Sequence, residues 1–337
     1  MGDGRLVDGY AAVGFDLDGV VYRGPEAVPG AAASIAELRR SGIRVGFVTN
    51  NAQRPPTAVA AHLERLGIPA AVSDIVTSAQ AEARLMAAEL PPAAEVLIVG
   101  SPALAEEIAR VGLAPVFRRG PDTAAIVVGF EPGLTWEDFN QGVYAVQAGA
   151  RYFACNNDLT RPTDQGIAIG LGGMLAAMAT ALPGLEPPMA GKPFRPLLDE
   201  TVQRLGSADL IFVGDRLDTD IAGANLVGLD SLFVLSGSHG KADLALADRR
   251  SRPTWVAWDV QGLLQPGRRA VTTTAGTRCG QVWASAPAGR LRFDHRPNDP
   301  AGQLDALWAG LNLVWERDEA GAPVESADAL ATLHLVP

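Results

Sequence analysis

Two aspartates, Asp16 and Asp18, come directly after a short apolar run and are followed at once by Gly19. A buried parallel strand favours such an apolar run, whereas a carboxylate inside it is costly unless its charge is compensated. The acids are therefore expected at the carboxyl end of a strand, where open α/β sheets place their ligands. Paired acids at such an edge need a counter-charge, and Mg²⁺, a hard cation that prefers oxygen ligands, meets that need. A strand-end turn with solvated acids is the simpler alternative.

Polar residues also stand at the ends of later predicted elements. The apolar run 43–48 predicts a second strand, and the segment before it predicts a crossover helix, so the N-terminal part reads as a βαβ unit. The other polar positions are Thr49 and Asn50 after that strand, Lys192 before a predicted helix at 194–205, and Asp215 with Asp220 after a predicted strand at 209–213. In an α/β sheet such residues converge on one edge.

Together these residue types predict a phosphoryl-transfer site. Carboxylates can hold Mg²⁺, while a lysine and hydroxyl or amide donors neutralise phosphoryl oxygens. One carboxylate can also attack phosphorus and form an aspartyl phosphate. The sequence contains no Gly-x-x-x-x-Gly-Lys-Ser/Thr loop, which argues against nucleotide cleavage by a P-loop mechanism.

In their order, these segments resemble the four motifs of the haloacid dehalogenase superfamily. They read Asp-Leu-Asp-Gly, Val-Thr-Asn-Asn, Gly-Lys-Pro and Gly-Asp-Arg-Leu-Asp-Thr-Asp. The resemblance implies an α/β fold with a Rossmann-like core and a parallel sheet, formed by residues 1–80 and 189–265. It also implies that residues 81–188 form an inserted α/β domain of the C2 cap type. The group that includes NagD, 4-nitrophenylphosphatase and phosphoglycolate phosphatase is the most similar.

The resemblance assigns different roles to the first two acids. Asp16 is implied to be the nucleophile and a Mg²⁺ ligand, and Asp18 the general acid and base, which also gives its backbone carbonyl to the metal. An acid at position 18 favours a phosphatase over a dehalogenase, because phosphatases must protonate a leaving alcohol and then activate water. For Asp218, an exposed acid at a helix start is an equally weighted alternative to a role in the site.

The remaining core motifs supply phosphate and metal ligands by the same resemblance. Thr49 and the Asn50 backbone are implied to bind the transferring phosphoryl group, and Lys192 is implied to pair with the nucleophile and a phosphoryl oxygen. Asp215 is implied to be the second carboxylate ligand of the metal. Asp220 is implied to orient the water shell of the metal.

Substrate contacts are expected from the inserted domain, because a domain that closes over the site excludes water. Segment 155–162 is similar to the Thr-Asn-Pro-Asp segment of the family, although Asn157 replaces the proline. The resemblance implies a loop that faces the substrate with Asn156, Asp158 and Arg161. An ordinary polar turn is the alternative.

The extended C-terminus resembles that of actinobacterial glycerol 3-phosphate phosphatases, which implies glycerol 3-phosphate as the substrate. 2-Phosphoglycolate is the first alternative, and a sugar phosphate or pyridoxal phosphate is a further one. Two other classes compete with a phosphatase. One is a phosphate-ester-binding regulatory protein without turnover, which the intact acid and lysine set disfavours, and the other is a phosphomutase.

Residues 268–337 predict a small α+β module, which by the same resemblance is similar to a fragment of an acetyltransferase-like fold. Five of the six tryptophans lie in segment 249–337. Helical spacing places Leu304, Leu307, Trp308, Leu311 and Trp315 on one face. The module has no Arg/Gln-x-x-Gly-x-Gly/Ala loop for coenzyme A, so it is expected to pack against the core or against a second copy in a homo-oligomer.

Composition limits the partners further. The net charge of −10 argues against nucleic-acid binding. The N-terminal segment 1–10 lacks the pattern of a signal peptide, and the uncharged run 166–185 is too rich in glycine and alanine to favour a membrane span over a loop and buried helix. We therefore expect a cytoplasmic protein that binds no membrane. The two cysteines, Cys155 and Cys279, are expected to be buried free thiols.

Overall fold

The structure is a computed structural model that describes residues 4–163 and 165–337. The first three residues of the N-terminal segment 1–10 lie outside the described residues. The chain divides into two compact units. The first unit comprises Met1–Arg44 and Asp209–Pro337, and the second comprises Val45–Ala208.

Strands and helices alternate along most of the chain. The first segment of the first unit contains β1 (Ala12–Asp16), β2 (Tyr22–Arg23), β3 (Glu26–Ala27) and α1 (Ala31–Arg40). Next come β4 (Arg44–Thr49), α2 (Pro56–Arg65), β5 (Ile75–Thr77), α3 (Ser78–Glu89), β6 (Glu95–Val99), α4 (Pro102–Arg110), β7 (Ala114–Val116), β8 (Thr123–Val128), α5 (Trp136–Gln147), β9 (Arg151–Ala154), β10 (Thr160–Thr163), β11 (Gly166–Ile169), α6 (Leu171–Ala179) and α7 (Arg195–Leu205). The chain ends with β12 (Leu210–Gly214), α8 (Ala222–Val227), β13 (Asp230–Val234), α9 (Lys241–Leu246), β14 (Trp255–Ala257), β15 (Val271–Thr273), β16 (Gly276–Cys279), β17 (Val282–Ser285), β18 (Arg292–Phe293), α10 (Pro300–Glu319) and α11 (Ala327–Ala331).

A parallel sheet organises the first unit, with the strand order β14–β13–β12–β1. Its strands are near-continuous apolar runs, as expected for strands covered on both faces. The register between β1 and β12 pairs Ala12 with Leu210 and Phe15 with Val213. The two strands therefore end level with each other, and Asp16 and Asp215 leave the sheet at the same edge.

The C-terminal residues of the first unit form an antiparallel sheet, β15–β16–β17–β18, on which α10 packs. The predicted stripe lies on α10 and is buried. It belongs to one apolar cluster with core residues such as Leu217, Phe233 and Val256. Trp315 also donates a hydrogen bond of 3.1 Å from Nε1 to the Leu244 carbonyl. Of the two packing alternatives predicted from the sequence, the structure thus shows packing against the core.

The second unit contains a parallel sheet of its own, with the order β7–β6–β8–β9, and the parallel pair β4–β5. Helix α3 packs against both α4 and α7. Its N-terminus is fixed by Thr77, whose Oγ1 accepts from the Gln80 N–H at 3.2 Å. The boundaries predicted for the inserted domain, residues 81 and 188, stay a prediction.

Several predicted elements are confirmed, and others were missed. The helix predicted at 194–205 matches α7, and the strands predicted at 43–48 and 209–213 match β4 and β12, each to within one residue at either end. Strand β14 ends at Ala257, and the Asp259 side chain then accepts from the Gln261 N–H at 2.8 Å and begins a 3₁₀ turn. The hairpins β2–β3 and β10–β11 were not predicted.

Both cysteines are buried free thiols, as predicted. Burial raises the pKa of Cys155 well above its ordinary value and that of Cys279 to about 12. Within residues 4–163 and 165–337, no helix has both the length and the apolar character needed to cross a membrane.

Candidate active site

Asp16 is the last residue of β1, and the tight turn after it brings the chain back on itself. The Val21 and Tyr22 N–H groups both donate to the Leu17 carbonyl, at 2.9 and 3.1 Å. Gly19 has a φ of 89°, and a Cβ at this position would lie 2.5 Å from Asp215 Oδ2. Only glycine satisfies both conditions, so the turn and the Asp215 carboxylate are fitted to each other.

The Asp215 carboxylate is fully buried and held by the segment that follows β13. Its Oδ2 accepts a hydrogen bond of 2.6 Å from the Ser238 N–H, and its carbonyl accepts from the His239 N–H at 3.3 Å. A Cβ on Gly237 would overlap the carboxylate. Ser236 in turn donates from Oγ to the Gly19 carbonyl at 2.7 Å, which links this segment to the turn after β1.

Asp220 lies in a π-helical turn, Leu217–Ile221, just after β12. Its Oδ2 accepts from the backbone N–H groups of Asp215 and Arg216, both at 3.1 Å. A Cβ on Gly214 would overlap the Asp220 side chain, so glycine is required where β12 ends. These contacts fix Asp220 beside Asp215.

Asp16, Asp215 and Asp220 form a cluster in which one carboxylate oxygen from each lies within 4.8 Å of the others. Asp215 and Asp220 are buried and Asp16 is half-buried. Three carboxylates this close and this buried repel one another unless a cation neutralises them. All the donors are oxygens, which is the preference of Mg²⁺. The site therefore fits the predicted metal.

Two further aspartates lie outside this cluster of described carboxylates. The Asp18 side chain is exposed on the turn after β1. Asp218 is also exposed, and its carboxylate accepts from Arg216 Nε at 3.1 Å and from Arg216 Nη2 at 2.6 Å. The geometry of Asp218 matches the alternative of an exposed acid near a helix start.

A second set of predicted site residues comes together within the second unit, around Asn50. The Asn50 side chain accepts from the Lys192 N–H at 2.7 Å and donates to the Lys192 carbonyl at 2.9 Å. Asn156 Nδ2 donates to the Asn50 carbonyl at 2.8 Å, and Asn50 Nδ2 lies 3.3 Å from both Asp158 carboxylate oxygens. Thr49 Oγ1 accepts from the Asn51 N–H at 3.1 Å. The strand end, the lysine segment and the predicted substrate loop are therefore joined through one residue.

Arg161 has a different environment from Asn156 and Asp158. It lies on β10, and its guanidinium carbon is 4.5 Å from the centre of the Phe130 ring. The neighbouring residues Leu159, Ile167 and Ile169 are exposed apolar side chains. The predicted polar loop is therefore short, and Arg161 belongs to the hairpin that follows it.

Sequence reasoning missed the segment Ser236–His239, although it supports Asp215 directly. The signal was present, because small polar residues and a glycine follow the apolar run of β13, much as polar residues and a glycine follow β1. His239 also contributes a side chain, since its Nδ1 accepts from the Leu217 N–H at 3.0 Å. That contact places the proton of the neutral ring on Nε2.

Comparison with known families identifies the class of protein. A model described as haloacid dehalogenase-like hydrolase matches residues 13–114, and a second model of HAD-like hydrolases matches residues 189–263. The two matches contain the strand ends that carry Asp16, Asp215 and Asp220. The chain belongs to the haloacid dehalogenase-like hydrolases.

Individual relatives are more specific. The chain is 45% identical over 253 residues to D-glycerol 3-phosphate phosphatase of Mycobacterium tuberculosis, covering 75% of this chain and 70% of the relative. It is 34% identical over 257 residues to human glycerol-3-phosphate phosphatase, covering 68% of this chain and 80% of the relative. A crystal structure of the M. tuberculosis glycerol phosphate phosphatase in complex with magnesium matches 99% of this chain and 98% of its own, with a TM-score of 0.85 and 37% identity.

Proposed function

We propose that this protein is a Mg²⁺-dependent phosphatase that hydrolyses glycerol 3-phosphate to glycerol and phosphate. The observation that carries the proposal is the cluster of Asp16, Asp215 and Asp220 at the carboxyl edge of β1 and β12. Two relatives named for the same activity, at 45% and 34% identity, support the choice of substrate.

The first half of the proposed reaction transfers the phosphoryl group to Asp16. A carboxylate oxygen of Asp16 attacks phosphorus, and the bond from phosphorus to the glycerol oxygen breaks. Asp18 donates a proton to that oxygen, so glycerol leaves as a neutral alcohol. The exposed position of Asp18 suits this role, because it allows proton exchange with solvent.

The second half hydrolyses the aspartyl phosphate. Asp18, now ionised, takes a proton from water, whose oxygen attacks phosphorus. The bond from phosphorus to the Asp16 oxygen breaks, and inorganic phosphate leaves while Asp16 returns as a carboxylate. The two steps together consume one water and return both aspartates to their starting states.

The proposed metal ligands are Asp16, Asp215 and the Asp18 carbonyl, with Asp220 holding the water shell. When bound, Mg²⁺ neutralises charge on the carboxylates and the phosphoryl oxygens. Asp220 is positioned for its role by the Asp215 and Arg216 N–H groups.

Residues of the second unit are proposed to bind the ester. Thr49, the Asn50 backbone and Lys192 offer hydroxyl, N–H and ammonium donors for phosphoryl oxygens. Asn156 and Asp158 are proposed to contact the alcohol part of the substrate. Residues 81–188 are proposed to form the C2-type cap that carries this specificity.

One observation favours 2-phosphoglycolate as a second candidate. Arg161 is a cation on the hairpin that follows the predicted substrate loop, and a guanidinium suits the carboxylate of phosphoglycolate. Proposed partners are otherwise limited to the small ester and Mg²⁺, since the net charge of −10 disfavours nucleic acid. Assembly into a homo-oligomer is an additional proposal, which light scattering tests.

The test is a panel of phosphorylated metabolites assayed for released phosphate with Mg²⁺. Glycerol 3-phosphate is expected to give the highest kcat/KM, followed by 2-phosphoglycolate. 4-Nitrophenyl phosphate serves as a reporter of turnover that needs no specific alcohol contacts. A higher kcat/KM for 2-phosphoglycolate would reverse the ranking of substrates, and no turnover of any ester would refute the phosphatase assignment. An isomerised product would instead identify a phosphomutase.

A further inference from the structure

Helix α3 of the second unit carries a carboxyl that the proposed reaction does not use. The Glu82 side chain has an exposed fraction of 0%. Its Oε2 accepts a hydrogen bond of 2.7 Å from the Ala190 N–H. Among the described residues, its Oε1 has no hydrogen-bond partner. Burying a carboxyl with only one hydrogen-bonded oxygen is costly, and an apolar residue at this position would avoid that cost. The hydrogen bond to Ala190 is therefore the feature of Glu82 that needs an explanation.

The hydrogen bond from Ala190 is one of three that fix the backbone leading to Lys192. Three consecutive N–H groups donate to acceptors from three different parts of the second unit. These hydrogen bonds orient the peptide groups that lead to the Lys192 side chain. Ala190 donates to Glu82, Gly191 to the Cys155 carbonyl at 2.9 Å, and Lys192 to Asn50 Oδ1 at 2.7 Å.

The packing around Gly191 shows how closely this segment is held. A Cβ at Gly191 would lie 2.5 Å from the Cys155 carbonyl oxygen and 3.0 Å from Asn50 Oδ1. These distances are shorter than ordinary van der Waals contacts, so only glycine lets the segment approach these two neighbours this closely. The third contact of the segment is the hydrogen bond from the Ala190 N–H to the Glu82 carboxyl.

The same face of α3 also contacts the strand end that carries Thr49 and Asn50. Ser78 Oγ donates to the Asn50 carbonyl at 2.6 Å. Ser78 and Glu82 are four residues apart in the helix, and residues at this spacing lie one above the other on one face. A single helix face therefore contacts both segments that carry the proposed phosphate ligands.

Helix α3 is itself fixed to α7, which makes it a rigid support. Glu200 of α7 forms ion pairs with Arg84 of α3 and with Arg204 of its own helix. Arg204 in addition donates to the Ile75 carbonyl at the start of β5. Glu200 is buried and Arg204 is largely buried, so solvent screens their pair weakly, whereas the Arg84 side chain is exposed.

The protonation state of Glu82 decides which substitutions are conservative. Burial raises the pKa of this carboxyl well above its ordinary value, while the Ala190 N–H opposes the increase and the nearby Glu89 adds to it. Burial raises the pKa of the Cys155 thiol, and the Glu82 carboxyl adds to that increase. Burial therefore favours the protonated, neutral form of the Glu82 side chain. The amide of glutamine is neutral, has a similar size and can accept the same hydrogen bond.

We propose that Glu82 is a positioning residue for the phosphate-binding lysine: by accepting the Ala190 N–H it sets the backbone that presents Lys192 to the phosphoryl group. The inference rests on the proposed function, in which Lys192 binds a phosphoryl oxygen. Glu82 itself touches neither the substrate nor the metal ligands in this assignment.

The test compares Glu82→Met, which keeps the volume but loses the acceptor, with Glu82→Gln, which keeps both. Glu82→Met is expected to lower kcat about 10-fold, as is typical when a partner of a site residue is lost. It should also weaken inhibition by inorganic phosphate while leaving the half-saturating Mg²⁺ concentration unchanged. Glu82→Gln should stay within about 2-fold of the parent, because it retains the acceptor.

Met86→Ala is the matched control, because Met86 is a fully buried apolar side chain one turn further along α3. It should lower the melting temperature without changing kcat or the inhibition constant for phosphate. A merely structural role for Glu82 predicts that Glu82→Met behaves in the same way, and that result would overturn the proposal. Equal losses in the Gln and Met variants would also overturn it.

Two additions keep the test decisive. If Glu82→Met does not fold, Glu82→Asp replaces it, because a side chain shorter by one methylene cannot reach the Ala190 N–H. Kinetics of Glu82→Asp equal to those of the parent would refute the proposal. Hydrogen exchange of the amides at 190–192 is measured in parallel on the folded variants. Faster exchange is expected in Glu82→Met or Glu82→Asp but not in Glu82→Gln. This readout does not need turnover, so it separates failure of the Glu82 inference from failure of the phosphatase assignment.

Discussion

Replacement of Gly19 by alanine tests whether the turn after β1 and the Asp215 carboxylate are fitted to each other. A Cβ at Gly19 would lie 2.5 Å from Asp215 Oδ2 and 2.9 Å from Asp215 Cγ. An ordinary contact needs about 3.4 Å, so the carboxylate or the turn must move by roughly 0.9 Å, the difference between this distance and 2.5 Å. The positive φ of 89° adds a backbone cost of about 1–2 kcal/mol.

Gly42→Ala provides a control that has the backbone cost without the contact. Gly42 has a φ of 80°, and a Cβ there would meet nothing within 4 Å. Gly42→Ala should therefore lose about 1–2 kcal/mol of the free energy of unfolding. Gly19→Ala should lose more, because the displaced Asp215 carboxylate adds to the backbone cost. Only Gly19→Ala displaces a proposed metal ligand. Because a misplacement of about 1 Å can cost a factor of about 100 in rate, we expect kcat/KM to fall between about 10-fold and 100-fold in Gly19→Ala and to stay unchanged in Gly42→Ala.

The assay measures hydrolysis of 4-nitrophenyl phosphate across a range of Mg²⁺ concentrations, together with thermal melting of both variants. The half-saturating Mg²⁺ concentration should rise in Gly19→Ala, since Asp215 is the carboxylate that moves. If the two variants lose the same stability and Gly19→Ala keeps the activity and Mg²⁺ dependence of the parent, the close fit at Asp215 has no functional role and the reasoning is wrong.

Three further predictions follow from the same site and from the packing of the C-terminal residues. Asp16→Asn should abolish turnover and leave the melting curve close to that of the parent, because an amide is a poor nucleophile and a weak Mg²⁺ ligand; activity within a few-fold of the parent would remove Asp16 from the nucleophile role. EDTA should stop the reaction, Mg²⁺ should restore it and Ca²⁺ should inhibit it through its larger and looser coordination shell, whereas full activity in chelator would contradict the metal assignment. A chain that ends at Gln265 should keep the three aspartates but melt at a lower temperature or aggregate, because it exposes the apolar surface of Leu244 and Val256 that α10 covers. Calorimetry and light scattering test this, and an unchanged melting temperature and mass would contradict it. The intact chain should show no acetyl-coenzyme A turnover in an acetyl-transfer assay.

The strand ends of the core could be predicted from the sequence because their signal is local. A continuous apolar run such as that before Asp16 or Asp215 has few other uses than a buried strand, and an acid that follows it directly marks the edge of the sheet. The α10 stripe was equally visible, because five large apolar residues at helical spacing predict one buried face. In both cases the residues that give the signal are close together in the sequence.

Other features could not be predicted from the sequence, because they depend on contacts with segments that are distant along the chain. The hairpin β2–β3 has only two residues in each strand, too few for any periodic pattern. The requirement for glycine at position 237 comes from the Asp215 side chain, which is distant in the sequence. Glu82 looks like an ordinary polar position of a helix until the structure shows it fully buried against the Ala190 N–H.

The supports of the proposed site share one physical feature, which explains how its residues can be placed accurately. Backbone N–H groups orient the acids: Ser238 donates to Asp215, and the N–H groups of residues 215 and 216 donate to Asp220. In the second unit the direction is reversed, because side chains such as that of Asn50 fix the backbone of Lys192. In both arrangements peptide groups do the positioning. In the proposed function, the Asp16 carboxylate and the Lys192 ammonium act on the substrate and the metal. Arg161, on the β10–β11 hairpin, takes no part in these particular contacts. Because a guanidinium suits a carboxylate, Arg161→Ala is expected to lower kcat/KM for 2-phosphoglycolate more than for glycerol 3-phosphate, and equal changes for the two esters would contradict this prediction.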